Sequence, residues 1–393
     1  MSSEKISLSK ILVSIFEFLE RFTSKKYWRL KFVLILTFLS LLFSTGAFFY
    51  LPQAMKDDNW NSFSVKKEHP LTASNFTPVS HAAKKTFRLT VPLIAKFFHL
   101  NNYLVFLLQI LVSICFLYFT VVLVQQMTGD NISALLAAAG MVFIYTGHAG
   151  FTDINTWFDE FAFLFLIMAM LYRNPLIIFF CLQLACWTDE RALLSCGLVF
   201  IWWKLNEAKS SSFSFTSLFK LQWQSSVVVL SLFFYVALRL FLSSAYGLRT
   251  PLDGAGINTI MKNTDFMGMA LWSAFEGFWI LNITAMILIW HKRLYFLGFC
   301  LMVVSAIITL VAFSVFDLTR SIAYIFPVIF ISVLLLKDEL ALKSMRKLLM
   351  LSAVVCFLFP AYYIITDVSP YILWYKPLFV RVIDFVRIYL AGH

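Results

Sequence analysis

Long apolar runs separated by short polar turns occupy most of the chain between residues 29 and 366. A membrane-spanning helix needs roughly 20 mostly apolar residues, and about 17 suffice where neighbouring helices shelter it. The pattern predicts about eleven spans, at residues 29–50, 103–127, 132–149, 157–172, 175–188, 191–205, 225–243, 266–290, 294–315, 320–336 and 348–366. The three spans between residues 157 and 205 are short, so we expect them to be broken, half-buried or stacked inside the bundle, where protein groups satisfy the backbone.

Amphipathic segments flank and interrupt these spans. Apolar and charged positions alternate at helical spacing in residues 6–22 and again in residues 88–99, at the end of the longest loop (51–102). The predicted fold class is all-α: a polytopic transmembrane helix bundle with interfacial helices in the first outer loop and at both termini. Its predicted parts are a cytoplasmic interfacial helix (1–28), a transmembrane domain (29–366) and a C-terminal interfacial segment (367–393).

Composition excludes a soluble domain. Hydrophobic residues make up 61% of the chain and charged residues 13%, with a mean hydropathy of +0.82. A soluble globular domain carries about 25% charged residues. These values favour an integral membrane protein, and we expect the net charge of +11 to reflect membrane topology rather than nucleic acid binding.

Lysine and arginine are divided unevenly between the two sets of loops, and cytoplasmic loops are the enriched ones. One set holds Arg173, Lys204, Lys209, Lys220, Lys292, Arg293, Lys337, Lys343, Arg346 and Lys347, whereas the other holds Arg191, Arg249, Lys262 and Arg320. We therefore predict a multi-pass protein of the inner (plasma) membrane, with a cytoplasmic N-terminus and an extracytoplasmic active face.

Eight acidic residues beside the span ends fall together on the predicted outer side. They are Asp57, Asp58, Asp153, Asp159, Glu160, Asp189, Glu190 and Asp317. A charge at the centre of a membrane helix costs roughly 2.5–3.5 kcal/mol on insertion scales, and less near the interface. Because short loops join neighbouring helices, we expect these turns to line one pocket. Solvated helix caps and local ion pairs, such as Asp317 with Arg320, are the simpler alternative.

The first half of the chain resembles the polytopic glycosyltransferases of the GT-C superfamily. An acidic pair, Asp57-Asp58, follows the first span by a few residues, and an amphipathic stretch comes later in the same loop. Within that stretch, the segment Phe87-Arg88-Leu89-Thr90-Val91-Pro92-Leu93-Ile94 is similar to a short Arg- and Pro-containing stretch at that position in bacterial members.

The resemblance implies an enzyme that takes a sugar from a polyprenyl-phosphate donor on the extracytoplasmic side and inverts the anomeric centre. Its partners would be membrane lipid, the lipid-linked sugar and a glycan, lipid or protein acceptor. An Asp of the first outer loop acts as general base in such enzymes, and Asp58, or its neighbour Asp57, matches that position.

Other charged residues are candidates for substrate binding. Guanidinium groups suit a donor phosphate, which makes Arg88, Arg191 and Arg320 candidates. The carboxylates that would orient sugar hydroxyls, or hold a divalent cation through oxygen ligands, are Asp153, Asp159, Glu160, Asp189, Glu190 and Asp317. No residue spacing identifies a metal site, so the cofactor stays unknown.

Two other classes of function stay open. A surface-polysaccharide polymerase of the O-antigen type shares an outer-face site and a lipid-linked substrate. A transporter or flippase of lipid-linked saccharide instead places charges near the membrane midplane. Arg239 and Glu276 lie deepest within the predicted spans, although a buried pair between them is the simpler explanation.

Overall fold

The computed structural model describes residues 8–43, 47–72, 84–207, 213–250, 256–359, 361–366, 371–372, 386–387 and 390. Within them the fold is all-α, as predicted, apart from an antiparallel pairing of β1 (Tyr362–Tyr363) with β2 (Tyr371–Ile372).

The helices of the first half, in chain order, are α1 (Leu8–Thr23), α2 (Trp28–Phe43), α3 (Ala47–Ala54), α4 (Asp58–Glu68), α5 (Thr90–Phe97), α6 (Asn102–Thr128), α7 (Asn131–Met141), α8 (Tyr145–Thr152), α9 (Asp159–Leu171), α10 (Pro175–Thr188) and α11 (Ala192–Glu207). Those of the second half are α12 (Phe215–Phe219), α13 (Trp223–Tyr246), α14 (Ile257–Asn263), α15 (Met267–Phe275), α16 (Phe278–His291), α17 (Tyr295–Phe313), α18 (Leu318–Ala323), α19 (Pro327–Leu336) and α20 (Leu342–Leu358).

Several helical segments fit a multi-pass membrane protein. Four are long and apolar enough to cross a membrane: Asn102–Thr128, Trp223–Tyr246, Tyr295–Phe313 and Leu318–Leu336. Two bent pairs pass the same test together, Asn131–Met141 with Tyr145–Thr152 and Ile257–Phe275 with Phe278–His291, which gives up to six spans in the described chain. The count of about eleven spans stays a prediction.

Three predicted spans differ from the observed helices. The span at 132–149 bends by 58° after α7, and the span at 266–290 bends by 90° at Glu276, whose φ is +45°. The span at 348–366 is helical only to Leu358, after which the chain enters β1. Apolar residues continue through the first and third positions and flank Glu276 on both sides, so hydropathy alone does not reveal the changes of direction.

Packing explains the second bend. Gly277 follows Glu276 directly, and its backbone lies against the carbonyl of Ser352 in α20 so closely that a Cβ atom would overlap it. A glycine there allows the corner between α15 and α16 to contact α20. Glu276 itself is fully buried, and its carboxylate oxygens have no hydrogen-bond partner among the described residues.

The first of the three short predicted spans forms α9, which is stacked inside the bundle. Helix α9 packs against α6, α10 and α11 and is buried along most of its length. At 1.5 Å per residue its 13 residues extend about 20 Å, less than the roughly 30 Å thickness of the hydrocarbon core. Surrounding helices therefore shelter the ends of α9 from lipid.

One largely buried ion pair and one exposed ion pair join helices at the predicted cytoplasmic end. Asp130 accepts a hydrogen bond from Ser133 N at 2.8 Å and so caps α7. The same carboxylate lies 2.8 Å from Arg346 Nη2 in α20, while Arg346 Nη1 lies 2.8 Å from Glu20 Oε1 in α1. These contacts connect three helices that are distant in sequence.

Two expected amphipathic helices are present, as α1 and α5. Their position at the membrane surface stays a prediction. The C-terminal interfacial segment, residues 367–393, lies outside the described residues except for positions 371–372, 386–387 and 390.

Candidate functional site

Four turns converge on one buried cluster of ion pairs. They are the segment before α5 (84–89), the α8–α9 turn with the first residue of α9 (153–159), the α10–α11 turn (189–191) and the start of α18 (317–320). Charged side chains from all four contact one another. The structure thus brings together Arg88, Asp159, Asp189, Glu190, Arg191, Asp317 and Arg320.

Asp159 is the centre of the cluster. Its Oδ2 accepts hydrogen bonds from Arg320 Nε at 2.6 Å and from the Tyr145 hydroxyl at 2.7 Å. Its Oδ1 accepts from Arg320 Nη2 at 3.1 Å and from Arg191 Nη2 at 3.3 Å. The hydroxyl of Tyr324 also donates to Oδ1, at 3.1 Å. These donors offset the cost of removing a carboxylate from water.

Asp189 is a second carboxylate that contacts two arginines. Its Oδ1 is 2.7 Å from Arg191 Nε, and its Oδ2 is 2.9 Å from Arg88 Nη2. Burial by itself raises the pKa of Asp189, but the charges of Arg191 and Arg88 outweigh this effect and hold the pKa below its usual range. Asp189 is therefore ionised at neutral pH. The neighbouring Glu190 lies farther from Arg88, with 3.4 Å between Oε2 and Nε.

Arg320 connects the cluster to the start of α18. Its Nη1 donates to Asp317 Oδ2 at 2.8 Å, so the local pair expected from the sequence is present. The guanidinium carbon lies 4.3 Å from the ring centroid of Trp157, a cation–π distance. Trp157 in turn stacks on Tyr363 of β1, with ring centroids 5.2 Å apart. Arg320 is thus held on two sides.

Asp153 and Glu160 face the protein interior. Asp153 accepts hydrogen bonds from the backbone N–H groups of Asn155 at 2.7 Å and of Trp157 and Phe158 at 2.8 Å. These bonds hold a turn in which Phe158 has a φ of +59°. Burial raises the pKa of Asp153. Glu160 is fully buried and accepts from Gly150 N at 3.3 Å.

Lys85 is a functional candidate that the sequence analysis missed. Its Nζ donates to Thr156 Oγ1 at 3.0 Å and to the carbonyl of Asn155 at 3.2 Å. Burial, assisted by the charges of Arg88 and Arg320, lowers the pKa of Lys85 to about 7. The side chain of Lys85 therefore changes between its charged and neutral forms near neutral pH.

A cavity of about 1190 Å³ adjoins the cluster. Its walls carry two acidic residues, Glu190 and Asp317, and seven cationic ones: Lys84, Lys85, Arg88, Arg191, Arg239, Arg249 and Arg320. In the described part of the chain, four of these cations form no ion pair with an acid, namely Lys84, Lys85, Arg239 and Arg249. Positive charge between walls of low dielectric attracts anions.

Apolar side chains form the rest of the cavity wall. They include Leu193, Val236, Leu240, Val311 and Val315. Val236 and Leu240, on α13, are 45% and 66% exposed at the outer surface of the bundle. In a membrane protein such a surface faces lipid, so the cavity joins a cationic region to an apolar one.

Arg239 is not paired with Glu276. Its guanidinium instead lies 4.3 Å from the ring centroid of Phe87, and its Nη1 donates to the Tyr235 hydroxyl at 2.9 Å. Aromatic packing leaves the charge without a carboxylate partner among the described residues, at the cavity wall. Its position within an apolar span was the one signal in the sequence.

Asp57 and Asp58 lie at the start of α4, and both are exposed. Neither belongs to the cavity wall, which the next residue, Asn59, does line. The buried indole of Trp60 fixes this end of α4, because its Nε1 donates to the carbonyl of Ile154 at 2.8 Å. The first-loop acids are therefore near the site, and their catalytic role stays a prediction.

Asp153, Asp159 and Asp189 are not free to hold a divalent cation. In the described residues, no group of three or more His, Cys, Asp or Glu is arranged to hold a metal ion. The oxygens of Asp159 and Asp189 already accept from guanidinium groups, and those of Asp153 accept from backbone N–H groups. Their hydrogen bonds thus occupy the lone pairs that a metal would need.

No family model matches this chain, and neither a curated protein nor a solved structure is found to be similar to it.

Proposed function

We propose that this chain is an integral membrane glycosyltransferase that moves a sugar from a polyprenyl-phosphate donor to an acceptor at the extracytoplasmic face. The observation that carries the proposal is the cavity, in which cations that pair with no described acid lie beside an apolar wall exposed at the surface of the bundle. A ligand that satisfies both regions has an anionic head group and a long hydrocarbon chain.

The phosphate would lie among Lys84, Lys85, Arg239 and Arg249. These side chains are not neutralised by a described acid, whereas Arg88, Arg191 and Arg320 each bind one. Binding a phosphate to the first group therefore breaks no ion pair. The hydrocarbon chain would leave the cavity past Val236 and Leu240 of α13.

The same cations suit the chemistry of glycosyl transfer. When the acceptor oxygen attacks the anomeric carbon, the bond to the lipid phosphate breaks, and the leaving phosphate gains negative charge. Preorganised cations in a site with little water stabilise that charge in the transition state. Residues of this chain that line the cavity supply such cations.

Binding of farnesyl phosphate, a short polyprenyl phosphate, tests the proposal. We expect the purified protein in lipid nanodiscs to bind it at least 10-fold more tightly than farnesol, which lacks the phosphate. Arg239→Ala should weaken binding of farnesyl phosphate about 10-fold, because one charge-assisted contact to phosphate is worth roughly 1.5–3 kcal/mol. The matched control is Arg173→Ala, an exposed arginine remote from the cavity.

Equal affinity for farnesol and farnesyl phosphate would contradict the proposal. So would unchanged surface glycans in a strain of the native host that lacks this gene, since loss of a glycosyltransferase removes its product.

A further inference from the structure

The carboxylates of the cluster differ in whether an oxygen is available to a substrate. Both oxygens of Asp159 accept from arginine and tyrosine donors, and both oxygens of Asp189 accept from Arg191. These two residues are 1% and 0% exposed. A carboxylate in that condition neutralises arginine and has no access to a hydroxyl group in the cavity.

Asp153 and Glu160 are excluded for a similar reason. They are 3% and 0% exposed, and neither lines the cavity. The oxygens of Asp153 bind backbone N–H groups of its own turn. Of the acids in this cluster, Glu190 and Asp317 therefore remain as the ones that reach the cavity.

Glu190 and Asp317 differ in their hydrogen bonds. Both oxygens of Glu190 face Arg88, at 3.5 Å from Nη2 for Oε1 and 3.4 Å from Nε for Oε2. Asp317 instead binds Arg320 through Oδ2 alone, at 2.8 Å, and Oδ1 has no donor within the described residues. Asp317 thus combines one firmly held oxygen with one lone-pair site that is available to a ligand.

Arg320 holds Asp317 in a fixed orientation. The Nε and Nη2 atoms of Arg320 bind Asp159 at 2.6 and 3.1 Å, and its guanidinium lies on Trp157. Only Nη1 is directed to Asp317. A general base acts efficiently when a third group orients it in this way.

We propose that Asp317 is the general base of the transfer reaction and removes the proton from the acceptor hydroxyl. This inference rests on the proposed glycosyl transfer. In the step, the acceptor oxygen forms a bond to the anomeric carbon, the bond from that carbon to the phosphate oxygen breaks, and the phosphate leaves with the electron pair. The hydroxyl proton moves to Asp317 Oδ1, and water later removes it.

The position of Asp317 suits this step. It lies in the same cavity wall as Lys85 and Arg320, so a phosphate bound to the cations and a hydroxyl bound to Asp317 would share one cavity. Asp58, the base that the family resemblance implies, is exposed and outside that wall. The two assignments therefore predict different results for the same pair of substitutions.

The experiment compares Asp317→Asn with Asp58→Asn and with Asp265→Asn, a matched control at an exposed position outside the cavity. Each variant is expressed in a native-host strain lacking the gene, and the surface glycan is quantified per amount of protein in the membrane. Each is also purified in nanodiscs to measure the affinity for farnesyl phosphate. We expect Asp317→Asn to reduce the glycan at least 100-fold, a typical contribution of a general base, and to bind farnesyl phosphate at least as tightly as the wild type. Asp265→Asn should match the wild type in both measurements.

Three results would overturn the assignment. One is a normal glycan level in Asp317→Asn. Another is a larger loss in Asp58→Asn than in Asp317→Asn. The third is loss of farnesyl phosphate binding in Asp317→Asn, which would make Asp317 a structural partner of Arg320. A wild-type protein that neither binds farnesyl phosphate nor restores a glycan would instead reject the proposed function itself, and the base assignment with it.

Discussion

At the scale of single residues, Asp159 determines whether the charged cluster is stable. Both Arg320 and Arg191 contact its carboxylate, which is 1% exposed. Removing one partner from a buried ion pair leaves a charge without compensation, which costs about 3–5 kcal/mol. We therefore expect Asp159→Asn to lower the free energy of unfolding by about that amount.

Thermal unfolding of the purified protein in detergent measures this effect. Asp265→Asn is the matched control, because Asp265 is exposed and forms no ion pair in the described chain. Equal melting temperatures for the two variants would show that the buried arginines find other partners.

If the cavity binds the donor phosphate as proposed, Lys85 makes that binding depend on pH. Its folded-state pKa is about 7, since burial and the charges of Arg88 and Arg320 outweigh the opposing effect of Asp153 and Asp317. A bound phosphate favours the charged amine, so above pH 7 binding must take up a proton. We expect the affinity for farnesyl phosphate to fall as the pH rises from 7 to 9.

Arginine stays protonated throughout that interval, so Lys85→Arg should bind farnesyl phosphate with a flatter pH dependence. A slope that is the same in Lys85→Arg and in the wild type would assign the titration to another group.

Some residues of the candidate site could be predicted from the sequence and others could not, for physical reasons. Asp159, Asp189 and Arg320 stand out because charges beside apolar runs are costly and therefore uncommon. Lys84 and Lys85 belong to a loop in which lysine is ordinary. The contact of Arg239 with Phe87 joins positions 152 residues apart (239 − 87), and no local pattern contains it.

At the scale of secondary structure elements, the corner between α15 and α16 depends on Gly277. A Cβ atom there would overlap the carbonyl of Ser352, and backbone of α20 cannot move aside without repacking. Overpacking of this kind costs typically about 1–3 kcal/mol, so Gly277→Ala should lower the melting temperature.

Gly268 in α15 provides the matched control, since an added Cβ would meet no atom within 4 Å. Gly268→Ala should leave the stability unchanged or raise it slightly, because alanine is favoured over glycine in helices by up to about 1 kcal/mol. A Gly277→Ala variant as stable as Gly268→Ala would mean that the corner can open.

Hydropathy predicted where the helices are better than where they bend. The segments Asn102–Thr128 and Tyr295–Phe313 lie within two residues of the predicted ends. Their boundaries carry local signals, such as Asn101 capping Leu104 N and Gly129 with a φ of +67°. The corner at Glu276 has no such signal, because contact with a distant helix causes it.

At the scale of the whole molecule, the loop charges predict that the cavity faces outward. We expect a cysteine at the exposed position 58 to react with a membrane-impermeant maleimide in intact cells, and a cysteine at the exposed position 343 to react only after permeabilisation. The six native cysteines would first be replaced by serine or alanine. The reverse labelling pattern would place the cavity in the cytoplasm.

The exposed wall at Val236 and Leu240 determines which concentration of the proposed lipid-linked donor governs the rate of turnover. A lipid-linked donor that enters past these residues arrives by lateral diffusion within one leaflet, so its relevant concentration is the number of molecules per area of membrane. Adding inert phospholipid to the vesicles at constant total donor should therefore slow turnover in proportion, whereas diluting the same vesicles with buffer should not. Kinetics of this protein would then obey surface dilution rather than bulk concentration.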